Sequence, residues 1–346
     1  MKTNIILATA AAFCGITLAS CSDALELYPV DSVSDENFWN SEKDLELYAN
    51  GFYGILPGAL GPGADDQSDC FVNEKPNTWI FNLETKPSSG GGWSSGDWGN
   101  IRSCNYFLSR YHRATGGEAQ INRQVAVVRF FRAWEYFYKL RRFGDVPWYE
   151  TDLNVDSEEL YNGRDNRKTV FKNMLRDMDF AIEWLQDAGS VPAGRLHKDA
   201  ARAFKVRACL YEASFRKYHG LGDHTELYRM AAETAMEIIS QGRYDIWSNG
   251  KPESDYYNLF IQEDLSNNPE CIMPRVYETK LLMHNNTRQL EESYTGMSRA
   301  MFEQYLCADG KPTGASPTYG AEAQMLADEI MRRDPRLAQS IDNPTL

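Results

Sequence analysis

The chain has 346 residues, 42% of them hydrophobic and 25% charged, which suffices for a packed core and excludes disorder by composition. Its 25 Gly and 14 Pro exclude a collagen-like or low-complexity chain. With 36 Lys and Arg against 49 Asp and Glu, the net charge of −13 speaks against a nucleic-acid partner, because that affinity comes mainly from neutralising phosphates.

Residues 1–20 carry one basic residue, Lys2, ahead of the apolar run 5–18. That run is too short to span a bilayer and has the form of a secretory signal. Leu18, Ala19 and Ser20 place small residues before Cys21, as in a bacterial lipobox. Cys21 is therefore expected to carry lipid, each buried CH₂ adding ~0.8 kcal/mol to the anchor. Cys14 would leave with the signal. The remaining Cys70, Cys104, Cys209, Cys271 and Cys307 are odd in number and include no C-x-x-C pair, so zinc ribbons and thioredoxin-like sites are unsupported. Cys104 and Cys209 fall in helical patterns and read as small core residues.

Residues 21–40 read as an extended tether. Ser41 with Asp44 opens a helical run in which Leu45, Tyr48, Phe52 and Ile55 share a face. Residues 58–96 form the longest irregular stretch, and loops of that length often carry function. Helical spacing returns with Trp98, Ile101, Asn105 and Leu108. Over 118–143, Ala126, Phe130, Ala133, Trp134, Phe137 and Leu140 make one stripe, with Gly144 and Pro147 at its exit. A second stripe, 169–188, runs from Phe171 to Leu185 and stops before Gly189 and Pro192. A third, 197–218, sets Phe204, Tyr211 and Phe215 against Ala201 and Ala208, with Ala203, Leu210 and Ala213 on its opposite side. A fourth, 224–241, holds Tyr228, Ala231, Ala235 and Ile239 before Gly242. Two-sided helices with aromatics facing alanine are what stacked helix pairs require. The predicted fold class is mostly α: a tetratricopeptide-like stack of helix pairs over 41–242, then an irregular, loop-rich second lobe over 243–346.

Several segments recur in an order that resembles a known family. They include Phe38-Trp39-Asn40-Ser41, Asn50-Gly51-Phe52-Tyr53, and Trp98 with Ile101, Cys104 and Asn105. The longest are Arg132-Ala133-Trp134-Glu135-Tyr136-Phe137 running on to Phe143-Gly144-Asp145-Val146-Pro147, and Gly194-Arg195-Leu196-His197-Lys198-Asp199-Ala200-Ala201. Gly242-Arg243-Tyr244, Asn268-Pro269-Glu270, Asp309-Gly310-Lys311 and Asp334-Pro335-Arg336-Leu337 follow. Together they resemble the SusD/RagB family of surface glycan-binding lipoproteins of Bacteroidetes. The resemblance implies a SusD-like helical domain over 41–242 and the start of a SusD/RagB C-terminal lobe over 243–346. Members usually run considerably longer, so that lobe is expected to be incomplete.

Catalytic patterns are weak. Gly92-Trp93-Ser94-Ser95-Gly96 matches G-x-S-x-G, but a nucleophile elbow needs a strand before the serine, and a Gly-Ser run precedes it. It reads as a flexible loop. The acidic stretch 65–69 lacks the glycine and distal glutamate of an EF-hand and reads as solvated. The five histidines show no metal spacing, and Glu158-Glu159 reads as surface. No catalytic residue, metal or cofactor is expected.

Sugar binding requires less: a ring for the apolar C–H face of a pyranose, and amides or guanidiniums for its hydroxyls. Residues 71–98 hold Phe71, Trp79, Phe81, Trp93 and Trp98, with Asn77, Asn82 and Asn100 nearby. The expected ligand contacts are Trp79, Asn82, Trp93, Trp98 and Asn100; Tyr256, Tyr257 and Tyr294 are weaker candidates. The competing structural reading places Trp98 in the core and has Trp79 and Phe81 anchor the loop. The resemblance implies a non-catalytic protein, lipid-anchored in the cell outer membrane and facing outwards. It would capture an oligosaccharide and pass it to a partner SusC-like TonB-dependent transporter docked on the helical stack. A peptide-binding RagB-like member, a surface glycoside hydrolase and a remnant without activity of its own are the alternatives.

Overall fold

A computed structural model describes residues 35–341 apart from 60–64, 66, 76, 86–89, 293–294, 318 and 320–325. The expected signal at 1–20, the lipidated Cys21, most of the tether and Tyr294 lie outside the described residues.

Among the described residues, six helices build the body. In α1 (Glu42–Asn50), Ser41 and Asp44 form a reciprocal cap, with Ser41 N–H donating to Asp44 Oδ2 at 2.8 Å. Next come α2 (Gly99–Leu108) and α3 (Glu118–Phe143). At the end of α3, Gly144 N–H closes on the Leu140 carbonyl at 3.0 Å, with φ +72° and ψ −116°. The exit thus needs glycine, as expected, but turns more sharply than a left-handed helical cap. α4 (Arg167–Trp184) is capped by the Asn166 side chain, α5 (Lys198–Tyr218) by His197, and α6 (His224–Ile239) follows.

α3 packs against α4, α5 packs against α6, and an α4–α5 contact joins the two pairs, giving the stacked arrangement the stripes imply. α4 stops several residues earlier than its periodicity suggests. Leu185 turns extended and buries its side chain in the core, and the Gln186 carbonyl accepts from the Lys198 N–H that opens α5. α3 is buried on more than the one stripe visible in its sequence, because Val125, Val127, Val128, Phe131 and Tyr136 are buried as well. With α1 and α2 against it as well as α4, α3 is the central rod. Its rings meet those of α5: Trp134 and Phe204 lie 4.8 Å apart, and Phe137 and Tyr211 5.5 Å. Cys104 and Cys209 are fully buried, and all five described cysteines are free.

Buried charge ties the rods together. The Arg132 guanidinium (α3) grips both Asp177 oxygens (α4) at 2.7 and 2.8 Å and donates to Asn105 Oδ1 (α2) at 2.9 Å. Asp177 is 0% exposed. Burial pushes the Arg132 pKa down, but the Asp177 charge outweighs it and holds the group above its ordinary value. One step along, Arg167 (α4) donates to Glu212 (α5) at 2.8 Å and to the Leu140 carbonyl (α3) at 3.2 Å, and Arg216 holds the other Glu212 oxygen. At the described N-terminal end, Asp35 gathers Trp39 Nε1 (2.8 Å), Tyr106 Oη (2.7 Å) and Arg110 Nε (2.7 Å). Burial would raise its pKa, but these hydrogen bonds and the Arg110 charge hold it at about 2.

Beyond α6 the chain is short helices and turns with a small second core of Phe302, Ile330 and Leu337. It is tied back at separate points. The two-residue strands Phe71–Val72 and Gly296–Met297 pair antiparallel. His197 Nε2 reaches the Ile272 carbonyl at 2.9 Å. Gly194 (φ +80°) lets residues 274–276 cross closely, since a Cβ there would sit 3.2 Å from Val276 Cγ2. Among the described residues no helix is long and apolar enough to cross a membrane.

Two measurements probe these joints. Arg132→Met should cost about 3–5 kcal/mol in urea unfolding, because it strands Asp177, whereas adding Asp177→Leu should recover most of that loss. If the double variant is as unstable as the single one, the pair is not the source of the cost. His197 is buried, its Nδ1 accepts from Ala200 N–H and its Nε2 donates to Ile272, so the ring must be neutral. Burial lowers its pKa, the unfolded chain binds the proton more readily, and stability is full above about pH 6.5 and falls as the pH drops below it. The same titration on His197→Asn, which can still cap, should show a shallower fall.

Candidate functional site

A cavity of about 770 Å³ opens between the start of α2, the turn that precedes it and the segment 147–164. Trp93, Ser95 and Trp98 make its near wall, which Ser94 shapes. Ser94 caps the turn. Its N–H donates to Asp97 Oδ2 at 2.8 Å in a capping box that opens a 3₁₀ turn, Ser95–Trp98, running directly into α2. Hydrogen bonding from Ser94 holds the Asp97 carboxyl below its ordinary range. Ser94 thus has its hydroxyl spent on Asp97, and among the described residues no strand leads directly into it, so G-x-S-x-G makes no nucleophile elbow here.

The capped turn sets two indoles edge to face. Trp93 and Trp98 are 5.2 Å apart at 89°, and Trp93 also meets Phe143 at 4.7 Å. Trp98 in turn touches Tyr136 at 6.4 Å and Tyr149 at 6.1 Å. Lys139 of α3 reaches beneath the turn, with Nζ donating to the Gly92 carbonyl at 2.7 Å and lying 5.1 Å from the Trp98 ring. Burial lowers the Lys139 pKa. The stretch read as a flexible glycine loop is therefore pinned at Gly92 and Trp93, because a buried lysine needs an acceptor and finds that carbonyl.

The far wall depends on the ion pair between α3 and α4. Asn105, with Oδ1 held by Arg132, donates through Nδ2 to the Tyr149 carbonyl at 2.8 Å. Tyr149 N–H donates to the buried Tyr136 hydroxyl at 2.8 Å. Asn105 lines the cavity with both ends of its amide engaged, so it builds the wall rather than greeting a ligand. Arg164 lays its guanidinium 4.4 Å over the Trp93 ring, and Arg102 Nε donates to the Leu153 carbonyl at 3.2 Å. The exposed Asn162 completes the rim. The cavity offers three aromatic rings, two guanidiniums and the exposed amide of Asn162. Among the described residues no three His, Cys, Asp or Glu side chains group to hold a metal ion.

Of the residues expected at the site, Trp93 and Trp98 come together here, both half-buried. Trp98 is thus part of the wall and part of the opening. Trp79 is 62% exposed and Asn82 sits in a turn at φ +53°, and neither lines the cavity. Trp79 and Phe81 do not anchor their loop by burial, since Phe81 is exposed as well. Asn100 also lies outside the cavity and donates to Glu135 Oε1 at 3.1 Å; burial raises the Glu135 pKa. Tyr149, Arg102, Arg164 and Asn162 escape the sequence reading. A sequence signal existed for Tyr149 alone, which follows directly on the Gly144 and Pro147 helix exit.

No family model matches the chain. The SusD-like protein P2 of Formosa agariphila is 26% identical over 266 residues, which are 71% of this chain and 48% of that protein. The starch-binding protein SusD of Bacteroides thetaiotaomicron is 27% identical over 293 residues, 75% of this chain and 48% of that one. The chain thus spans about half the length of the curated relatives it matches. A crystal structure of a SusD-like protein from Bacteroides fragilis superposes with a TM-score of 0.68 at 22% identity, over 90% of this chain and 62% of the other.

The role of Lys139 can be measured directly. Lys139→Met removes a charged hydrogen bond worth about 1.5–3 kcal/mol and should speed amide exchange over residues 90–98. Unchanged exchange there would show that the turn is held by its aromatic contacts alone.

Proposed function

Because the chain belongs to the SusD-like family, we propose that it is a non-catalytic binding protein that captures an oligosaccharide in the Trp93–Trp98 cavity. One observation carries this reading: two indoles and a tyrosine held edge to face, with Arg164 and Asn162 beside them. The rings suit the C–H face of a pyranose, and the guanidinium and amide suit its hydroxyls. The name of the starch-binding relative is consistent with glycan cargo.

The rest of the proposal follows the family. Residues 1–20 would be the signal peptide, Cys21 the lipid attachment that holds the protein on the outer membrane, and 21–40 the tether. The helical domain 41–242 would dock a SusC-like TonB-dependent transporter, and 243–346 would begin the second lobe.

Calorimetric titration with neutral malto-, cello- and laminari-oligosaccharides tests the capture step. At least one series should bind, and Trp98→Ala should weaken it tenfold or more, about 1.4 kcal/mol, with the thermal midpoint measured alongside to confirm folding. Binding of oligopeptides and of no glycan would replace the cargo by peptide. A folded Trp98→Ala protein that binds as the parent does would move the site elsewhere.

A further inference from the structure

A second cavity, of about 750 Å³, opens between the turn 53–57, α3, α5 and the segment 271–276. Trp134 lines it, whereas the neighbouring cavity rests on Tyr136. Two residues span about 200° around a helix, so the two cavities lie on opposite sides of α3. The floor here is aromatic, made by Tyr53, Trp134 and Phe204, the last two 4.8 Å apart. Every charged side chain that lines it is an arginine, Arg195, Arg207 and Arg275, in a chain of net charge −13.

The three arginines are not equivalent. Arg195 lies 5.1 Å over the Tyr53 ring and shares its charge with Glu46 at 3.1 Å. Arg275 spends Nη1 on the Leu56 and Pro57 carbonyls at 2.7 and 2.8 Å, which holds the guanidinium at the lip without neutralising it. Arg207 is exposed and has no partner among the described residues, and neither does the indole N–H of Trp134. Two uncompensated positive charges and a free donor thus surround an aromatic floor.

We infer that this cavity is a second ligand site, for an oligosaccharide that carries carboxylates, such as a uronic-acid chain. A guanidinium pairs with a planar carboxylate through two parallel hydrogen bonds, and Arg207 and Arg275 supply that fork. The aromatic floor receives the C–H face of the ring that bears the carboxylate. A bare inorganic anion would leave that floor unused, and a cationic ligand would meet like charge. The inference stands apart from the neutral-sugar site on the other side of α3.

The test uses the full chain and three probes: trigalacturonate, its fully methyl-esterified form, and maltotriose. The first two differ in charge but not in sugar. Trigalacturonate should bind at least tenfold more tightly than its ester, and added salt should weaken it. Arg207→Glu should weaken it at least tenfold, with a thermal midpoint like the parent's because Arg207 is exposed and has no partner among the described residues. Arg275→Ala should weaken it by a smaller factor, and Trp98→Ala should leave it unchanged. Equal affinity for acid and ester, no binding of the acid, or an unchanged affinity in folded Arg207→Glu protein would overturn the inference. A loss in Trp98→Ala without one in Arg207→Glu would also overturn it, by moving the acid to the other cavity.

Discussion

The buried arginine–carboxylate pairs are the constraint on which the body depends. Arg132 and Asp177 join α3 to α4, and Arg167 and Glu212 join α4 to α5. Apolar packing alone would let such helices slide, since alanines and phenylalanines meet acceptably at neighbouring registers. Arg132, with two hydrogen bonds on the Asp177 carboxylate, has a single acceptable register, and a slip at either pair would leave a full charge buried without its partner. The pairs thus set where each rod sits along its neighbour, whatever their net contribution to stability.

The first cavity inherits that register. Arg132 holds Asn105, Asn105 holds the Tyr149 backbone, and Tyr149 leans on Tyr136 and Trp98. The wall facing a ligand is therefore two hydrogen bonds from Arg132 and one from Tyr136, both on the central helix. Lys139 does the same work on the near side by pinning Gly92. A shallow, open site on turns can be rigid when each turn is bonded to the same central helix. This is preorganisation, and it lowers the ordering cost that a weakly contacting sugar would otherwise have to meet.

Much of the helical body was legible because its signals are local. Ser41 and Asp44 announce their cap, Gly144 announces the end of α3, and the apolar stripes announce the faces. What escaped was non-local. A single apolar stripe implies one wet face, so the burial of Val125 and Phe131 on the far side of α3 was invisible. The early end of α4 follows from where α5 begins, and no residue of α4 encodes that. At the site, aromatic composition picked out Trp93 and Trp98 but could not separate them from Trp79. The difference lies in partners distant along the chain: Phe143 and Arg164 cover Trp93, and no comparable ring or cation covers Trp79 among the described residues.

The Asp35 node has a mechanical consequence. Any pull transmitted through the backbone from residues before it meets, at Asp35, a carboxylate held by an indole just ahead of α1, a phenol of α2 and a guanidinium just beyond α2. Such a load is shared at once by several bonds acting in parallel, rather than peeling the helices apart one contact at a time. With its pKa near 2, the node keeps its charge in mildly acidic as well as neutral surroundings. Its grip is therefore insensitive to acidity across that range, and the first described joint of the chain is a mooring rather than a hinge.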